Sequence, residues 1–143
     1  MITLDTTVLV YAVGDDHALR ESARAIVDAV GSGSVQATTT VEAIQEFVHV
    51  RARRRGRRDA VALGRAYADL LSPLLPVDED ALRDGFDLFE RHETLGCFDA
   101  VLAAAARSGG HEALVSADSA FGAIESLPFI DLADASRVQQ LIR

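Results

Sequence analysis

The 143 residues are 49% hydrophobic and 25% charged, the balance of an ordinary globular chain, with a formal net charge of −8. That size is expected to fold as one domain over residues 1–143 and to bury a core without disulfide or metal staples, and the acidic balance excludes non-specific nucleic-acid binding by the whole surface. All 14 basic residues are arginine, and the absence of lysine excludes Schiff-base chemistry and a Walker A phosphate loop.

Other exclusions follow from the termini and from residue usage. No apolar run approaches the roughly 20 residues of a membrane span. The opening MITLDTTVLVYA reaches an acid at position 5 and has no basic region, so a signal peptide is not expected. One cysteine permits no internal disulfide and points to a reducing, cytoplasmic compartment. Asparagine and tryptophan are absent while alanine abounds, which reads as a codon-composition bias.

In chain order, ITLD (2–5) reads as a short strand ending in an acid, and TTVLVYA (6–12) as a helix that Thr6 can cap. Residues 17–30 place Leu19, Ala23, Ile26, Val27 and Val30 at helical spacing, closed by Gly31-Ser32-Gly33. VQATT (35–39) is strand-like. Thr40 caps a helix to about Arg55, with Val41, Ile44 and Val48 apolar at three- and four-residue steps, and Gly56 breaks it. A second helix runs from Arg57 to Leu71 and stops at Ser72-Pro73. Residues 74–77 read as a short strand and 78–93 as a helix with acids in its first turn. An alanine-rich helix at 98–107 closes at Gly109-Gly110. ALVSAD (113–118) and FIDLA (129–133) complete the strands. Strands alternating with helices predict an α/β fold in three layers, a mainly parallel central sheet of four to five strands flanked by helices. Ligands of such sheets sit beyond the carboxyl ends of the strands.

That rule selects Asp5 and Asp118, each just past an apolar strand. A lone strand-end Asp commonly caps a helix; two from separate strands argue for a shared crevice. Glu42 and Glu46 lie one turn apart on one helix. The helix dipole alone justifies Glu42, whereas Glu46, in Ile44-Gln45-Glu46-Phe47-Val48, is expected on or near the buried stripe, where a carboxylate needs a partner or a metal. Asp99, in Gly96-Cys97-Phe98-Asp99-Ala100-Val101-Leu102, is either a helix N-terminal acid or a fourth member. Were Asp5, Glu46, Asp99 and Asp118 to converge, a hard divalent cation would neutralise them best, and oxygen-only ligation favours Mg2+ or Mn2+ over zinc.

The ordered set LDTTVLVYA, QEF on a helix, FDA and SAD resembles the PIN-domain ribonucleases, most of all the VapC toxins of bacterial toxin–antitoxin pairs, over essentially the whole chain. The resemblance implies a PIN-like fold in which Asp5, Glu46, Asp99 and Asp118 are the catalytic, metal-binding acids, with Glu42 a rival to Glu46. It places Ser116 near the metal. Thr7 stands where the family usually carries Asn; its hydroxyl can still hydrogen-bond the Asp5 carboxylate. The implied activity is a Mg2+- or Mn2+-dependent endoribonuclease that cuts tRNA or ribosomal RNA, leaves 5′-phosphate and 3′-hydroxyl ends, inhibits translation and is held by a VapB-like antitoxin. The alternatives are a housekeeping PIN-type RNA-processing nuclease and a catalytically silent PIN-like binding module; retention of all four acids argues against the silent module. Haloacid-dehalogenase-like phosphatases and response-regulator receivers also use an early Asp, but both want a lysine.

Arg51, Arg53, Arg54, Arg55, Arg57 and Arg58 form a dense basic cluster. It is either a solvated helix end, which suits the dipole, or a set of phosphate contacts for RNA. Arg53 lies about 10 Å of helical rise beyond Glu46, within reach of a neighbouring nucleotide. The cluster could equally hold an acidic antitoxin segment. The four histidines show no metal spacing, Cys97 reads as a packing residue, and Leu82, Phe86 and Phe89 read as core. The helices at 40–55 and 57–71 carry more apolar positions than one sheet face readily buries, so, with the resemblance, a homodimer is expected.

Overall fold

In the computed structural model, which describes residues 1–143, the chain runs β1 (Ile2–Leu4), α1 (Thr6–Ala12), α2 (Arg20–Gly31), β2 (Ala37–Thr38), α3 (Val41–Arg55), α4 (Arg57–Leu71), α5 (Glu79–Arg91), α6 (Cys97–Ser108), β3 (Ala113–Ser116), a 3₁₀ turn (Ser119–Ala123), β4 (Phe129–Asp131) and α7 (Ala135–Ile142). The four strands pair in parallel in the order β2-β1-β3-β4. Alternation along the strands divides two cores. Ile2, Leu4, Ala113 and Val115 face α1–α4 and α7 in one core, with Val8, Ile26, Phe47, Leu71 and Val138. Leu114 faces the other, packed by α5, α6 and the 3₁₀ turn through Leu88, the α6 alanines and Phe121. The three-layer α/β reading therefore holds, with four strands.

Local chemistry accounts for the helix limits. The Thr40 hydroxyl accepts from the Ala43 amide at 3.1 Å and starts α3; Asp78 accepts from the Ala81 amide at 2.8 Å and starts α5. Gly56, at φ +87°, ends α3 and starts α4, a conformation an L side chain resists. The α5–α6 contact depends on a missing side chain: a Cβ on Gly85 would lie 2.8 Å from the Val101 Cα, so the two helices touch at the backbone.

Four expectations are corrected. Residues 74–77 form no strand; Leu75 makes one parallel bridge to Thr40, because Pro73 and Pro76 remove the donors a ladder needs. Asp5, not Thr6, caps α1, and Thr6 is its first helical residue. Leu82, Phe86 and Phe89 on α5 are 40%, 47% and 46% exposed, not core: α5 buries only Ala81, Gly85 and Leu88, so it turns its bulky side chains outward. The apolar surplus expected on α3 and α4 is largely absorbed by their mutual packing, leaving Val41 and Val61 exposed. The C-terminal helix α7 was not foreseen; Asp134 caps it at the Arg137 amide and Val138 anchors it in the first core. No helix is long and apolar enough to cross a membrane.

Candidate active site

The carboxyl ends of β1 and β3 lie side by side, because Leu4 pairs with Val115 and the Asp5 amide donates to the Val115 carbonyl at 3.0 Å. This register brings the two strand-end acids together. Asp5 is 4% exposed. Its Oδ2 accepts from the Ser116 hydroxyl at 2.6 Å, the Thr7 hydroxyl at 2.9 Å and the Thr7 amide at 3.4 Å. Thr7 also accepts from the Ala117 amide at 2.9 Å, tying α1 to the end of β3. Ser116 accepts from the Asp118 amide at 2.9 Å, and Asp118 caps the 3₁₀ turn through the Ala120 amide at 2.9 Å. Ser116 and Thr7 thus both donate a hydroxyl hydrogen bond to the Asp5 carboxylate.

Glu46 enters from α3. It is exposed, contrary to its expected place on the buried stripe, because Ala43, Ile44 and Phe47 form that stripe instead. Its Oε2 accepts from the Thr6 hydroxyl at 3.0 Å, which also lies 3.2 Å from the Ala43 carbonyl. Thr6 is a site residue that sequence reasoning missed; the signal available was a second hydroxyl directly after Asp5. Asp99 enters from the first turn of α6 and is half-buried. Burial first, then the charges of Asp5, Asp118 and Glu46, pushes its carboxyl up to about 7.

The four acids line one cleft of about 260 Å³ together with Thr6 and Thr7. An adjoining lobe of about 250 Å³ shares Asp5, Glu46 and Asp99 and is lined further by Glu42, Cys97 and an apolar wall that includes Leu82, Phe98 and Val101. Glu42 therefore lines the adjoining lobe and not the cleft that holds all four acids, whereas Asp118 lines that cleft and not the lobe. The acids share a cleft and a field without closing into a cage: no three Asp, Glu, His or Cys side chains are gathered at metal-ligand spacing. The donor set nevertheless fits a hard divalent cation. It is all carboxylate oxygen, and burial of Asp99 beside three other carboxylates penalises its charge in a way that a bound cation would relieve.

The basic cluster divides. Arg51 is largely engaged inside the protein: its Nε donates to Asp59 at 2.6 Å and a second nitrogen to the Val13 carbonyl at 2.8 Å. Hydrogen bonding to Asp59 raises the Arg51 pKa and lowers that of Asp59. Arg55 pairs with Asp15 at 2.6 Å. Arg53, Arg54, Arg57 and Arg58 are exposed and outside every ion pair of the fold.

The sequence model of the PIN domain matches residues 2–127. This chain belongs to the PIN-domain family. Among PIN proteins it is similar to Ribonuclease VapC7 of Mycobacterium tuberculosis, 49% identical over 143 residues, which is 99% of this chain and 98% of the relative. Ribonuclease VapC23 of the same species is 35% identical over 102 residues, covering 69% of this chain and 78% of the relative. The crystal structure of Mycobacterium tuberculosis VapC20, described as a sarcin-ricin loop cleaving toxin, superposes with a TM-score of 0.72 over 86% of this chain and 94% of that one. At 21% identity, that likeness speaks to the PIN fold alone. The match of the family model ends before β4 and α7, whereas the likeness to VapC7 runs through them.

Proposed function

We propose that this chain, acting as one domain over residues 1–143, is an endoribonuclease of the VapC kind that serves as the toxin of a toxin–antitoxin pair. It cuts tRNA or ribosomal RNA in the cytoplasm and so inhibits translation. The observation that carries the reading is the meeting of Asp5, Glu46, Asp99 and Asp118, from four separated segments, in one cleft.

Asp5, Asp99, Asp118 and Glu46 would hold a Mg2+ or Mn2+ ion. Such an ion, when bound, offsets the charge of the carboxylates and of the RNA phosphate and makes water a stronger nucleophile. The rest is the work of the chain. Ser116 and Thr7 hold Asp5 in one orientation through hydroxyl donors, and Thr6 does the same for Glu46. Burial of Asp5 and Ser116 keeps water from competing for these bonds. Arg53, Arg54, Arg57 and Arg58 are placed to meet phosphates along the strand, each contact adding to affinity and to its salt dependence. The partners implied are an RNA substrate, a VapB-like antitoxin and a second copy of the chain; the exposed Phe86 and Phe89 give a dimer an apolar face on α5.

The test is incubation of bacterial RNA with the purified chain in Mg2+, in Mn2+ and in EDTA, with the new ends sequenced. Discrete cuts bearing 5′-phosphate and 3′-hydroxyl ends are expected with metal and none with EDTA. Cleavage that persists in EDTA, or in Asp5→Asn, would overturn the assignment. Sedimentation with a single 15 kDa species at micromolar concentration would remove the dimer.

A further inference from the structure

The adjoining lobe of the cleft is left over from the chemistry above. Phe98 is 82% exposed although it is a large aromatic side chain, and it directly precedes Asp99 in the first turn of α6. With Leu82 and Val101 it gives an apolar lining to a lobe of about 250 Å³ that Glu46 and Asp99 also line. That is slightly less than the roughly 300–1,000 Å³ of a drug-sized pocket, so it suits one ring system and not a helix or a run of bases. Whatever fills it must also lie against the carboxylates, because Asp5, Glu46 and Asp99 line both lobes. On an RNA strand whose phosphate is at those acids, the object one step away is a nucleobase, which has an apolar face and a polar edge.

Glu42 supplies the matching polar group. It is exposed, lies one turn before Glu46 on α3 and lines this lobe. Glu42 lines this lobe but not the cleft that holds all four acids, so it stands apart from the central group. A carboxylate accepts and cannot donate, so it suits a base edge that carries an amino group.

We propose that this lobe is the subsite for the nucleobase flanking the scissile phosphate, with Phe98 stacking on the base and Glu42 accepting from its amino group. The inference rests on the endoribonuclease reading. It identifies Phe98 and Glu42 as specificity-determining residues and predicts adenine, cytosine or guanine over uracil at one position beside the cut.

The experiment uses the full chain and a library of short randomised RNA in Mn2+, with cut ends sequenced and rates measured on the best substrate. Phe98→Ala should raise KM by about tenfold or more with little change in kcat, as loss of one base stack does. Phe98→Trp should restore the wild-type KM. Glu42→Gln should flatten the discrimination against uracil. Wild-type KM and base profile in both Phe98→Ala and Glu42→Gln would overturn the proposal. A fall in kcat alone for Phe98→Ala would do the same, since the ring would then act through Asp99. So would a dimer that dissociates in Phe98→Ala while the base profile stays fixed, the ring being then a subunit contact. If the wild type cuts no RNA, the nuclease reading itself falls and takes this inference with it.

Discussion

Asp5 on the strand wall of the cleft and Asp99 on the α6 wall are both sheltered from water, yet the fold supports only one of them. Asp5 receives two hydroxyls and an amide from Thr7 and Ser116. Asp99 is desolvated beside three other carboxylates, with no donor to stabilise its charge, and its carboxyl is pushed up to about 7. A buried charge is tolerable where hydrogen bonds replace water and costly where they do not. The strand wall is thus pre-organised by the protein alone, while the α6 wall is left with negative charge for an incoming cation to neutralise.

Removing the unsupported charge should have the largest effect. Asp99→Asn is expected to lower RNA cleavage by about a thousandfold or more, the scale of several kcal/mol of lost transition-state stabilisation. In EDTA its melting temperature should equal or exceed that of the wild type, because one of four like charges is gone. Mg2+ at about 100 times Kd should stabilise the wild type by about 2.7 kcal/mol and this variant far less. Equal Mg2+ shifts in paired thermal melts would show that Asp99 is no ligand.

Displacing the α6 wall comes next. Gly85→Ala sets a methyl against the Val101 backbone. Overpacking of this kind should cost about 3 kcal/mol and, by moving α6, lower cleavage as well. Chemical denaturation checks the first and a rate assay the second; unchanged stability would mean that α5 and α6 are free to separate.

Stripping the supported carboxylate should be milder. Ser116→Ala removes the shortest bond to Asp5 and leaves the Thr7 donors, for a loss of about 1–2 kcal/mol in a urea melt. A loss as large as that from Gly85→Ala would mean that Thr7 cannot hold Asp5 alone.

The smallest effect lies at the far end of the strand wall. The His111 Nδ1 and the Thr3 hydroxyl share a hydrogen bond, and burial, then the N-terminal ammonium of Met1, lowers the imidazole pKa from 6.5. Glu112, the neighbouring acid, is paired with that ammonium. The fold favours neutral His111, so the unfolded chain binds more protons. Its contribution is full above about pH 6.5 and fades as pH falls below it. The difference in stability between wild type and His111→Gln should therefore shrink on acidification; a difference that grows instead would reverse the sign of the shift.

Local structure was legible wherever the cause is local. The cap Thr40, the break at Gly56 and the span Arg57–Leu71 follow from side-chain capping and backbone preference, and the structure bears them out. So does the alternation that puts Asp5 and Asp118 at the ends of parallel strands. Errors came where a neighbour distant in sequence decides. Leu82, Phe86 and Phe89 look like core in any window, but α5 meets α6 through Gly85 and turns them outward. Glu46 looks half-buried beside Phe47, yet the α3 stripe passes through Ala43 and Ile44 and leaves it in the open cleft. Arg51 looks like its basic neighbours and is held by Asp59 and Val13.

By itself, the sequence determined which residues could do the chemistry: four carboxylates at element ends, two hydroxyls near them and no lysine to rival them. Only the tertiary structure decided that the four meet, because the pairing of β1 with β3 and the packing of α3 and α6 against that edge are long-range contacts with no local signature. It alone also decided how each charge is treated. A hydrogen bond from Ser116 to Asp5 spans 111 residues of sequence, and the missing donor at Asp99 becomes visible only once its neighbours are in place.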